Sequence, residues 1–346
     1  MYEDNTVFVV GAGASNEFGL PVGWNLLEQI RDNSHFYFEH GRFPSKGNRK
    51  IYETVYGKYE RDQHMLEKAF RAFGDINLGV ETAGSIDEYI NRYSEDSMIA
   101  ELGKIQIAHA ILDAEGKSKL VPPKGHEGDG INWSNVQDTW ISTFARALFE
   151  GVRANDVETI GDNITIICFN YDRCIEHYLE YAIQRAYRGI DRKYARKIVE
   201  SINIIHPYGS LGRLSQIAYG TPLANADLYH VANNLITWSE TVEDRSLVDH
   251  IKGAIKDARN IVFLGFAFAN QNMELLDAGL PDNKPYYTSV YSTGFGLTND
   301  IEVKLKRKIV GLYSANGNSS HHNYVDIKYG MKCNEFMQKQ LLNFTA

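Results

Sequence analysis

Four short segments put chemistry-bearing residues at points where an apolar run turns polar. The run TVFVVG (6–11) leads into GAGASNEFGLP (11–21), and glycines at the end of a buried strand let the backbone approach a phosphate bound by the next helix's N-terminal amides. Gly11, Gly13 and Ser15 therefore suggest a nucleotide site; a glycine turn made on steric grounds alone is the other reading. In ICFNYD the run stops at Asn170 and Asp172. A carboxamide offers donor and acceptor to a ribose hydroxyl or a water, and a carboxylate accepts from an amide NH2. Capping of the following helix is a competing role for Asp172, compatible with ligand contact. INIIHPYGSLG delivers His206 into a Pro and Gly turn, and of 11 histidines only this one follows an apolar run in that way. A lone histidine is more often structural, but one beside a carboxamide and a carboxylate suits a general base. IVFLGFAFANQN carries Gly265 and Phe266, where a glycine permits a close approach by the adenosine half of a dinucleotide or serves packing.

These residues need a scaffold that gathers them. Compact Val- and Ile-rich runs at 6–11, 163–169, 201–206, 260–266, 286–292 and 324–330 read as strands buried on both faces, and most are followed by helix-like segments. Strand then helix, repeated, predicts an α/β fold: a Rossmann-like parallel sheet flanked by helices. Ligands of such sheets bind at the carboxyl ends of the strands, where all four segments would meet. Residues 31–159 show helix-period stretches without a clear buried strand, including KIYETVYGKYERDQHMLEKAFRAF (50–73), which predicts a helical insertion after the first strand and helix. The expected division is 1–30 with 160–346 as the nucleotide-binding domain and 31–159 as the insert. KGHEGDG, after Pro122 and Pro123, reads as a turn or connection; residues 207–245 give no assignment.

Composition narrows the chemistry. The chain has 346 residues, 43% of them hydrophobic, and a net charge of −8 without a long Lys/Arg run, which argues against an unaided grip on nucleic acid. The start MYEDNTVFVV lacks the basic residues of a secretory signal, and no apolar stretch approaches the ~18 residues of a membrane span. A cytoplasmic protein without membrane contact is expected. A dehydrogenase fingerprint needs a third glycine where Asn16 stands and an acidic strand end ~20 residues on; Glu28 and Asp32 fall instead in a helical stretch, so hydride transfer is disfavoured. His64, His109 and His177 lie in helical stretches as packing or surface residues, and no histidine has metal-ligand spacing. A nuclease is the least favoured class, because no carboxylate cluster has such spacing either.

In their order and spacing the four segments resemble the sirtuin family, and more closely its bacterial anti-phage branch of NAD+ hydrolases. GAGASNEFGLP is similar to the sirtuin phosphate loop, FNYD to the Asn and Asp pair, HPYG to the catalytic histidine and its glycine, and LGFAF to the late strand at the adenine ribose. The resemblance implies Asn170 and His206 as catalytic residues, and Gly11, Ala12, Gly13, Ser15, Pro21, Asp172, Gly265 and Phe266 as contacts to NAD+, the substrate. Deacylase sirtuins carry a zinc ribbon with two cysteine pairs; Cys168, Cys174 and Cys333 make no CxxC pair, so no zinc is expected. Val22, Gly23 and Trp24 follow Pro21 where deacylases have an acidic and a basic residue, which puts the acyl-lysine groove in doubt. SIDEY, with Asp87, resembles a segment common in the hydrolase branch, and no role for Asp87 follows from spacing. The family further implies an abortive-infection effector, a homo-oligomer and a partner such as a HerA-type hexameric ATPase. Alternatives are a non-catalytic NAD+ or ADP-ribose sensor and a zinc-free deacylase.

Overall fold

All six apolar runs form strands: β1 (Thr6–Val10), β2 (Ile164–Cys168), β3 (Asn203–Ile205), β4 (Asn260–Leu264), β5 (Ser289–Gly294) and β6 (Val325–Tyr329). The computed structural model describes residues 1–39, 43–122, 125, 130–279, 287–314 and 319–346. Every pairing is parallel, in the order β3-β2-β1-β4-β5-β6. The chain therefore runs outward from β1 through β2 to β3, then returns to the other side of β1 for β4. That reversal opens a crevice at the carboxyl ends of β1 and β4, the usual ligand position in a doubly wound sheet.

The helices are α1 (Ala12–Ser15), α2 (Gly23–Ser34), α3 (Arg49–Tyr59), α4 (Gln63–Gly79), α5 (Ile86–Arg92), α6 (Ser97–Lys117), α7 (Trp133–Val136) and α8 (Trp140–Phe149), all between β1 and β2. After β2 come α9 (Cys174–Ala186) and α10 (Arg192–Ser201); after β3, α11 (Leu228–Ala232), α12 (Trp238–Glu243) and α13 (Arg245–Asp257). The last are α14 (Asn270–Leu276), α15 (Glu302–Val310) and α16 (Cys333–Gln340).

Alternation along the strands builds two cores. Val7 and Val9 join Ile167, Ile261 and Phe263 on the face covered by α2–α6, while Phe8 and Val10 join Ile166, Val262 and Leu264 beneath α8, α9, α10 and α16. The span 31–159 is thus shared between the faces, with α3–α6 on one and α8 on the other. Apolar residues line α6 on all sides, which fits a helix enclosed by its neighbours.

One reading changes and one unassigned stretch takes shape. The stretch 50–73 is two helices, because Asp62 stops the first and caps the second, its side chain accepting from the Met65 amide at 3.1 Å. Residues 207–245 hold only short pieces, α11 and α12 with turns between, pinned by the Ile236 amide on the Tyr208 carbonyl at 2.9 Å. The turn read at KGHEGDG falls outside the described residues apart from Gly125 and Gly130, as does Pro123 before it. No helix among the described residues is long and apolar enough to cross a membrane.

Candidate active site

Where β1 and β4 end, their glycines pack backbone against backbone. The Gly11 amide donates to the Leu264 carbonyl at 2.9 Å and the Gly13 amide to the Gly265 carbonyl at 3.0 Å. A Cβ on Gly11 would lie 2.6 Å from the Gly265 oxygen, and one on Gly13 2.9 Å from both the Gly265 Cα and that oxygen. Gly265 has φ +59°, and its Cβ would meet the Ala14 nitrogen at 2.1 Å. Steric need thus accounts for all three glycines. Ligand contact is compatible with it, because Ala12, Gly13, Gly265 and Phe266 also line a cleft of about 410 Å³ at the strand reversal, with Thr293 and Lys332 in the same lining.

Behind this cleft sits a buried polar knot. The Asn170 amide donates to the Gly11 carbonyl at 3.0 Å and to Ser15 Oγ at 2.8 Å, tying the end of β2 to the turn after β1. Its Oδ1 has no partner among the described residues. A buried acceptor left unmatched is expensive unless something pairs with it. Asp172 is buried too, and its Oδ1 accepts from the Cys174 amide at 3.1 Å at the start of α9. Burial pushes this carboxyl above its usual value, against hydrogen bonds from Cys174 and Ser15. Asp172 therefore secures α9 and Ser15, and lines none of the clefts described here.

His206 follows β3 at the same end of the sheet. Its Nδ1 lies 3.1 Å from the Asn170 carbonyl and its Nε2 2.7 Å from Glu176 Oε1. Burial opposes a charge on the ring, but the Glu176 carboxylate outweighs it and holds the imidazole well above its ordinary range. Burial raises Glu176 likewise; His206 outweighs that and leaves the carboxyl below its ordinary value. An imidazolium donating from both nitrogens satisfies both acceptors, so the ring offers no lone pair in this arrangement. The ring and Glu176 open onto a second cavity of about 640 Å³ with Arg196, Ser210 and Arg213.

The structure thus brings Gly11, Ser15, Asn170 and His206 into one connected network, with Ala12, Gly13, Gly265 and Phe266 on its cleft side. Pro21 lies apart, in a third cleft formed with α2 and α6. Asp87, half-buried on α5, accepts a hydrogen bond from the Tyr171 hydroxyl, and burial pushes its carboxyl up to about 6. Sequence reasoning missed Glu176, although an acid one turn into the helix after FNYD was a usable signal. It also missed Glu115, whose carboxylate on α6 binds Arg173 Nη2 at 2.6 Å with neither side chain more than 1% exposed. A carboxylate within an apolar helix gave no warning of that. Among the described residues no group of three His, Cys, Asp or Glu side chains could hold a metal ion.

Fold and cleft together define a doubly wound, Rossmann-like α/β protein with a polar network at the carboxyl edge of its sheet. No protein-family model matches the chain, and no curated protein matches it.

Proposed function

We propose that this chain is a sirtuin-like NAD+ hydrolase with a helical insertion after its first strand and helix, releasing nicotinamide and ADP-ribose. The observation that supports this most is the convergence, at one sheet edge, of the glycine seam, the unmatched Asn170 Oδ1 and the His206–Glu176 pair. In the reaction the bond from ribose C1′ to the pyridinium nitrogen breaks, its electron pair neutralises the ring, and water adds to C1′ with loss of a proton. The leaving group is already cationic, so the protein's work is to orient the ribose, exclude bulk water and stabilise an oxocarbenium-like state. The side-chain-free backbone at 11, 13 and 265, whose amides already donate within the protein, leaves room for the pyrophosphate and adenosine side, with Phe266 against the latter. Asn170 Oδ1 holds the ribose or the attacking water. His206 accepts the proton once its pair with Glu176 has lost one, so turnover rises with pH through that loss.

Incubation with NAD+ and measurement of nicotinamide and ADP-ribose tests the reading: release that vanishes in Asn170→Ala supports it, and release unchanged in that variant removes it. One observation favours a binding module that does not cleave: His206 has both ring nitrogens occupied, and neither it nor Asn170 lines the switch-point cleft. Saturable NAD+ binding without nicotinamide release would select that alternative, and release only with an acylated peptide a zinc-free deacylase. The same resemblance leads us to place the chain as an effector in anti-phage defence, as a homo-oligomer, with a HerA-type ATPase as partner. Mass measurement in solution, alone and with such a partner, tests the assembly.

A further inference from the structure

The third cleft, about 610 Å³, lies between the turn at Asn16–Pro21, α2 and α6. Its size is ordinary for a small-molecule site. Its lining is unusual. Asn25, Gln29 and Asn33 fall at i, i+4 and i+8 on α2 and form a stripe of carboxamides along one wall. Asn25 is half-buried and Gln29 exposed, so both carboxamides are open to a guest entering from solvent. The charged groups that line it, Asp113 and Lys117, neutralise each other in an ion pair at 2.6 Å. Leu20, Pro21, Ala110 and Ala114 supply apolar wall, and no large aromatic side chain joins them.

His109 adds a second, independent sign. Asn48 Oδ1 accepts from the Ile51 amide, which fixes its Nδ2 as the group facing His109 Nε2 at 3.0 Å. His109 Nε2 therefore accepts, and the neutral ring carries its proton on Nδ1. Burial holds the ring below its ordinary pKa, consistent with neutrality. The residue is 7% exposed, yet Nδ1 has no partner among the described residues. A buried N–H donor is seldom left unmatched without cause.

We propose that this cleft is a second small-molecule site and that it takes an uncharged nucleoside. Free carboxamides bind a base edge that offers donor and acceptor side by side; the apolar wall accommodates a planar ring; the internally neutral lining gives a phosphate nothing to pair with. The site is separate from the network around Asn170, although Asn16 lines both this cleft and the one at the strand reversal. The inference stands whether or not the chain cleaves NAD+.

The test is calorimetric titration of the full chain with adenosine, guanosine, cytidine and uridine, with glucose as an uncharged comparator. We expect saturable one-to-one binding of at least one nucleoside and none of glucose. Asn25→Ala and Gln29→Ala should each weaken it on the order of tenfold, and Ala114→Phe, which fills the cleft, should abolish it. Asn170→Ala should leave it unchanged. Thermal melts check that each variant is folded, and Gln29, being exposed, is the variant least exposed to that objection. No binding of any nucleoside at about 1 mM, binding indifferent to Gln29→Ala and Ala114→Phe, binding lost in Asn170→Ala, or glucose in place of a nucleoside overturns the proposal.

Discussion

Two ionic pairs meet the first turn of α9 and are put to opposite use. Arg173 and Glu115 are 1% and 0% exposed, and the guanidinium also donates to the Gly212 and Ile217 carbonyls, while the carboxylate also takes the Gly220 amide at 3.2 Å. All their capacity is spent inside the protein, fastening α6 and the 212–220 segment to α9. His206 and Glu176 are 12% and 21% exposed at the side chain, border a cavity, and leave Glu176 Oε2 with no partner among the described residues. Arg173 lines the same cavity, so what separates the pairs is capacity: the closed pair has none left, while the open one keeps a spare acceptor at Glu176 Oε2, which is what proton movement needs.

The contrast is broken most directly by removing one partner of the closed pair. Arg173→Met should lower unfolding free energy by about 3–5 kcal/mol, because it strands a buried carboxylate, and urea denaturation measures it; adding Glu115→Leu should recover part of that loss. His206→Ala should weigh on the other side, with a smaller stability loss of about 1–3 kcal/mol for a hydrogen bond to a charged group and NAD+ turnover cut roughly 10²–10⁴-fold. If His206→Ala unfolds the chain and Arg173→Met does not, the two roles have been assigned the wrong way round.

Smaller effects sharpen the distinction. Glu176→Gln removes the charge that raises His206, so the rise of turnover with pH should move toward acid; an unmoved profile would separate the carboxylate from the ring's titration. In the pH dependence of stability the signs are fixed by the shifts. His206, raised in the fold, contributes fully below its ordinary 6.5 and less as pH climbs through its folded value; Glu176, lowered, contributes fully above its ordinary 4.5 and less as pH falls below that. The stability difference between the native chain and His206→Ala should therefore peak between those values. Asp87, raised from 3.8 to about 6, carries the opposite sign: Asp87→Asn should gain stability above pH 6 and lose that gain below pH 4.

β1, β2 and β4 were the most legible strands because burial on both faces demands nearly unbroken apolar runs, whereas β5 (SVYSTG) and β6 (VDIKY) mix polar residues in and carry a weaker signal. Helix ends were less so: Asp62 caps a new helix inside a continuous periodic stretch, and periodicity alone does not register a restart. Nothing could be assigned across 207–245, since α11 and α12 are too short to establish a period. Asn170 and His206 stood out by following apolar runs to the same edge. Glu115 and Glu176 did not, because their meaning comes from partners 58 and 30 residues away in the chain. Pro21 read as part of the first loop, but it lines the cleft between α2 and α6 and not the one at the strand reversal.

The glycine seam between β1 and β4 also limits how selectivity could arise. With no side chain tolerated at 11, 13 or 265, any molecule lying along it meets bare backbone at those positions, whose shape cannot be edited by substitution. Discrimination between one guest and another falls to the side chains beside it, Phe266, Thr293 and Lys332 among them. The seam is a fixed ruler, and variation in preference has to be written beside it.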